Sequence, residues 1–163
     1  MSRFILLIST LIFYACNNTF YIVRHAEKET ASTMITDVPL SKAGEQRAYS
    51  LKDALKNKHI RYIFSTNTLR TTSTVKLLSN TIGVKIHLYE APDASFINQL
   101  KEIKRGNVLI VGHSNTVDDI VNGLTGKKIL NDLADDEYGD LFIVKRQGKS
   151  YTFTKSHFGM EAH

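Results

Sequence analysis

Two short apolar runs constrain the fold of this chain more than any other feature. Phe20-Tyr21-Ile22-Val23 leads directly into Arg24-His25, and Val108-Leu109-Ile110-Val111 leads into Gly112-His113-Ser114. Neither run alternates with polar residues. Each therefore reads as a strand buried on both faces, the position of central parallel strands covered by helices. The intervening sequence supplies the covers. Ser41 can cap a helix reaching about Lys56, with Ala48, Leu51 and Leu55 on its apolar face, although Gly44 stands where a capping box would place Glu. Tyr62-Ile63-Phe64 reads as a strand, and residues 69–79 as a helix that turns Leu69, Val75 and Leu78 inward. A strand over 84–88 closes at the Pro92-Asp93 turn, and helices are expected over 94–104 and 116–124. Residues 141–144 and 151–154 flank Arg146-Gln147-Gly148-Lys149 as a hairpin. Strands alternating with helices predict a three-layer α/β/α sandwich with a mostly parallel central sheet and an antiparallel edge. Residues 16–163 form one domain in this reading, and the stretch from Glu29 to Pro39 is a loop.

Residues 1–15 stand apart. Arg3 precedes an apolar stretch over residues 4–14, which ends at Ala15-Cys16. A membrane span needs about 20 apolar residues, so this stretch has the length and charge order of an export leader instead. It resembles a bacterial lipoprotein signal, in which the cysteine is lipidated, here Cys16. Phe13 and Tyr14 depart from that motif, and a plain secreted protein is the alternative. The expected location is the periplasm or cell envelope, with a lipid anchor holding the protein to a membrane. Cys16 is the only cysteine, so no internal disulfide and no cysteine-rich metal site can form.

The net charge of +5 favours anionic partners, but the basic residues are scattered and do not interleave with aromatics as a nucleic-acid face would. The strand ends carry the chemistry. Ligands of open α/β sheets bind at the carboxyl ends of the strands. Arg24, His25 and His113 all stand there. Arg70 falls in the first turn of a helix that follows another strand end, where free N–H groups and a partial positive charge favour phosphate. Its planar fork of donors suits phosphate oxygens. Two histidines and an arginine placed at the strand ends suggest a site for an anion and a nucleophile to attack it.

Arg24-His25-Ala26-Glu27-Lys28, the helix start from Leu40 through Ala48, Ser65 through Arg70, and Gly112-His113-Ser114 together resemble the histidine phosphatase superfamily, which includes the cofactor-dependent phosphoglycerate mutases. The resemblance implies that His25 is a nucleophile forming a phosphohistidine, and that Arg24, Arg70 and His113 bind the phosphoryl oxygens. It implies no metal and no cofactor. His25, His59, His87 and His113 show none of the helical pairing with Glu that marks a zinc site. The family commonly takes its general acid from a carboxylic acid after the third strand, here Glu90, with Asp93 and Glu27 as competitors. Ala26 and Ala31 replace the Gly and Asn of the mutase branch, and the chain is too short for a mutase pocket, which argues for a hydrolase. Its substrate would be a phosphorylated small molecule. The alternatives are a phosphoprotein or phosphohistidine substrate, or a phosphate-binding protein with little catalysis. The sequence leaves the oligomeric state open.

Two rival motifs fail. Gly112-His113-Ser114-Asn115-Thr116 lacks the last glycine of a serine-hydrolase elbow and leaves Arg24-His25 unexplained. The acidic run Asp132, Asp135, Asp136, Glu137 and Asp140 lacks the glycine and spacing of a calcium loop. It reads as a solvated loop, and some related small phosphatases carry a similar acidic-Tyr segment near the site. His157 and His163 are expected in an inert polar tail.

Overall fold

A computed structural model describes residues 17–30 and 37–159. Cys16, the leader, Ala31 and His163 lie outside the described residues. In chain order the elements are β1 (Asn17–Arg24), α1 (Lys42–Leu55), β2 (Ile60–Thr66), α2 (Leu69–Ile82), β3 (Ile86–Tyr89), α3 (Ala94–Glu102), β4 (Asn107–Gly112), α4 (Val117–Thr125), β5 (Asp140–Gln147) and β6 (Ser150–His157). They build a six-stranded sheet of order β3-β2-β4-β1-β5-β6. The first four strands in that order are parallel, and β5 and β6 add an antiparallel edge.

The apolar runs behave as strand periodicity requires. Phe20 and Ile22 of β1, with Val108 and Ile110 of β4, face Phe96, Ile97 and Leu100 of α3 and Ile120, Val121 and Leu124 of α4. Tyr21, Val23, Leu109 and Val111 face the other way, onto Leu51 and Leu55 of α1 and Val75 and Leu78 of α2. A strand between two helical layers can spare no polar face, which is why neither run alternates. Full burial of such side chains contributes about 1.5–3 kcal/mol each.

Helix starts follow their caps. Ser41 Oγ accepts from Gly44 N at 3.2 Å, Thr68 caps α2, and Asp93 caps α3 by accepting from Phe96 N at 2.9 Å. Gly44 has its own reason: a Cβ there would collide with the carbonyl oxygen of Glu27. Close approach of α1 to the loop after β1 excludes the Glu of a capping box.

Three expectations need correction. Leu69 is 42% exposed, because the buried stripe of α2 runs through Thr71, Thr74, Val75 and Leu78 instead. The hairpin is longer than its apolar core suggests: Arg146 and Gln147 belong to β5, and the turn is Gly148-Lys149, with Gly148 at φ 61°. Arg146 is buried and donates to the carbonyls of Lys101 and Ile103, so it closes the end of α3 and is not a turn residue. His157 ends β6, with Nδ1 3.8 Å from Asp140, and is not in a tail.

Candidate active site

The sheet register brings the chemistry-bearing residues into one row. Arg24 is level with Gly112, Ser65 with Val111, and Thr66 with Tyr89. The next residues, His25, His113 and Glu90, therefore emerge at the same carboxyl edge. The His25 and His113 rings meet edge to face, with centroids 5.4 Å apart.

His25 is 5% exposed. Its backbone N–H donates to Gly112 O at 2.9 Å, which ties the end of β1 to β4. Its Nδ1 lies 2.8 Å from Ala26 O. A carbonyl can only accept, so the neutral ring carries its proton on Nδ1 and holds a lone pair on Nε2. Burial lowers its pKa to about 4; the Ala26 bond opposes this, and the charges of Arg24, Arg70 and His113 add to it. At neutral pH the ring is uncharged, the form a nucleophile needs.

His113 is fixed by a different set. Arg70 Nη2 stands 3.4 Å from Nδ1, and a guanidinium can only donate. Nε2–H then donates to Thr66 Oγ1 at 2.9 Å, and Thr66 passes the chain to Thr71 Oγ1 at 3.1 Å. Burial, then Arg70 and Arg24, lowers the His113 pKa to about 4 as well. Two neutral imidazoles beside two permanent cations form a site suited to an anion.

Arg24 is 8% exposed. Its Nη1 donates to Ala134 O at 2.7 Å and Glu137 O at 3.2 Å, and its guanidinium lies 4.3 Å from the centre of the Tyr138 ring. Its Nε is buried with no partner. The acidic-Tyr segment thus reaches the site through its carbonyls and Tyr138, while the Asp135 carboxylate stays exposed, 3.9 Å from Arg24. A buried donor without a partner carries a desolvation cost that an anionic oxygen could relieve.

Some supporting residues had no sequence signal of their own. Thr74 Oγ1 accepts from Ala26 N at 2.9 Å and donates to Arg70 O at 2.7 Å, so one buried hydroxyl joins the nucleophile loop to the helix turn bearing Arg70. Thr116 Oγ1 accepts from His113 N at 2.8 Å. The cluster of Thr and Ser through 65–74 was the only available hint.

The three acid candidates separate. Burial is the largest single influence on the Glu27 pKa and raises it, but the Arg47 hydrogen bonds and charge, a backbone hydrogen bond and the His25 charge together outweigh it and hold the carboxyl below its ordinary range. Asp93 is engaged as the cap of α3. Glu90 is exposed and makes no hydrogen bond or ion pair among the described residues. It stands three strands from β1, roughly 14 Å between backbones at the usual strand spacing. Among the described residues no group of three or more His, Cys, Asp or Glu could hold a metal ion, and no helix is long and apolar enough to cross a membrane.

The sequence model of the histidine phosphatase superfamily (branch 1) matches residues 20–91. No curated protein matches the chain. Among solved structures, the chain is similar to the protein histidine phosphatase SixA complexed with tungstate, at 14% identity and a TM-score of 0.67, covering 85% of this chain and 96% of that one. It is similar to a phosphoserine phosphatase of Entamoeba histolytica in complex with 3-phosphoglyceric acid, at 14% identity and TM-score 0.68, over 88% and 98% of the two chains. A mycobacterial glucosyl-3-phosphoglycerate phosphatase gives 12% identity and TM-score 0.64, over 86% and 98%. At these identities the likeness establishes the fold.

Proposed function

We propose that this protein is a histidine phosphatase superfamily hydrolase that cleaves phosphate monoesters through a phosphohistidine on His25. The observation that carries the reading is the Nδ1 bond of His25 to Ala26 O, which leaves the Nε2 lone pair available beside Arg24, Arg70 and His113. In the first step Nε2 attacks phosphorus and the P–O ester bond breaks. The leaving oxygen takes its proton from Glu90. In the second step water gives a proton to the Glu90 carboxylate as it attacks phosphorus, the P–N bond breaks with its electron pair returning to Nε2, and phosphate leaves with His25 and Glu90 both restored. Charge on the transferring group falls on its equatorial oxygens, which the guanidinium groups of Arg24 and Arg70 neutralise, while the neutral His113 ring contributes a hydrogen bond when its N–H turns from Thr66 to one of them. None of these steps calls for a metal or cofactor.

Turnover of a panel of phosphorylated metabolites and phosphopeptides tests this. His25→Ala should abolish it, vanadate should inhibit, and EDTA should not. Activity that is lost in EDTA and restored by a divalent metal would overturn the assignment.

A second reading, hydrolysis of phosphohistidine in a partner protein, is favoured by the exposure of Glu90. A phosphorylated imidazole can take its proton from solvent before it leaves, so it needs a placed acid less than an alkyl ester does. From the sequence of residues 1–16 we also propose export with Cys16 as a lipid anchor.

A further inference from the structure

The partly buried ion pair beside the nucleophile has no part in the steps above. Arg47, 6% exposed, projects from α1 to Glu27, two residues beyond His25. Its Nε lies 2.8 Å from both Glu27 oxygens, and its Nη2 is 2.6 Å from Oε1. The remaining nitrogen, Nη1, donates to Phe158 O at 3.2 Å, while Phe158 N donates to Gly139 O at 2.9 Å. A Cβ on Gly139 would collide with Arg47 Nη1, so the chain beside Tyr138 is shaped around this guanidinium.

Stability alone is a weak explanation. Replacing a buried ion pair by apolar groups of similar volume is often neutral or stabilising. Glu27 follows His25 by two residues in the same loop, and it lines one cavity with Arg24 and Tyr138 beside the nucleophile. A free carboxylate there would favour the imidazolium and repel a phosphate dianion.

We propose that Arg47 is a positioning residue for phosphoryl transfer, gripping both oxygens of Glu27 so that this carboxylate stands fixed and neutralised beside His25. Among the described residues, the charged and titratable groups facing His25 are then Arg24 at the end of β1, Arg70 on α2, His113 after β4, Tyr138 and the Arg47–Glu27 pair. Of these, only the last contains a carboxylate that loss of one partner would expose.

The inference rests on the proposed reaction for its turnover arm only. NMR titration of the His25 ring, assigned by its loss in His25→Asn, needs no turnover. In full-length Arg47→Gln the His25 titration should move up by about one pH unit. kcat/KM toward p-nitrophenyl phosphate should fall by about tenfold, with its acid limb displaced in the same direction. Adding Glu27→Gln to that protein should reverse both effects, which a purely structural loss would not allow. Should Arg47→Gln fail to fold, the apolar pair Arg47→Met with Glu27→Leu decides, because it exposes no carboxylate: His25 should titrate near its wild-type position. An unmoved titration in folded Arg47→Gln, no reversal by Glu27→Gln, or a raised titration in the apolar pair overturns the proposal. Wild-type protein that titrates as described but turns nothing over would sink the proposed reaction and leave this inference standing.

Discussion

The burial that keeps His25 neutral should make the protein acid-labile. In the unfolded chain a histidine binds its proton near pH 6.5, whereas folded His25 resists until about pH 4. Between those values the unfolded state holds more protons, so stability is lost as pH falls through this window and is unaffected above it. The difference amounts to about 3 kcal/mol for His25. His113 carries a similar shift and is only partly buried, so its share is smaller. The two together remove roughly 4–6 kcal/mol, a large fraction of the usual 5–15 kcal/mol of a domain. With m near 2 kcal/mol/M in urea, the unfolding midpoint should drop by about 2–3 M from pH 7 to pH 4. Two carboxyls modify the profile. Glu27, held below its ordinary range, loses its contribution only at lower pH, and Asp118, raised by burial, works in the opposite direction. Urea titrations at half-unit pH steps check this, with His25→Asn and His113→Asn as controls that should each flatten the slope. A midpoint unchanged between pH 6.5 and 4.5 would refute the reasoning, as would the same slope in both variants.

Gly44→Ala gains about 1 kcal/mol of helix propensity but drives a methyl into Glu27 O. It should cost about 1–3 kcal/mol net by overpacking and slow turnover by disturbing the His25 loop; calorimetry with a rate assay reads both, and neutral behaviour would contradict the close approach. Glu90→Gln should barely affect p-nitrophenyl phosphate, whose phenolate leaves unaided, and strongly slow an alkyl phosphate; equal losses would mean the proton comes from elsewhere. Cys16→Ser should move full-length protein from the membrane to the soluble fraction, since lipid chains contribute about 0.8 kcal/mol per buried CH₂. Equal partitioning of the two forms would leave a secreted protein.

The sequence revealed the sheet because strands buried on two faces leave no polar positions, and Phe20 to Val23 and Val108 to Val111 obey that. The row of His25, His113 and Arg70 was legible because strand ends and a helix start are local features. The supports were hidden, since they join residues far apart in sequence. Thr74 meets Ala26 across 48 positions, and Arg47 meets Phe158 across 111. Nothing local marks such a pair. Leu69 misled because helical periodicity fixes a stripe but not its phase, and threonines took the buried positions of α2. Gly44 looked like a defective capping box until the carbonyl opposite it came into view.

The central claim is that His25 accepts the phosphoryl group, and rapid acid- and base-quench of a single turnover tests it most directly. Wild-type protein mixed with a ³²P-labelled monoester should yield a phosphoenzyme that survives base and decays in acid, located by mass spectrometry on His25 and missing from His25→Ala. An acid-stable phosphoenzyme, label on another residue, or turnover without any covalent species would contradict the account.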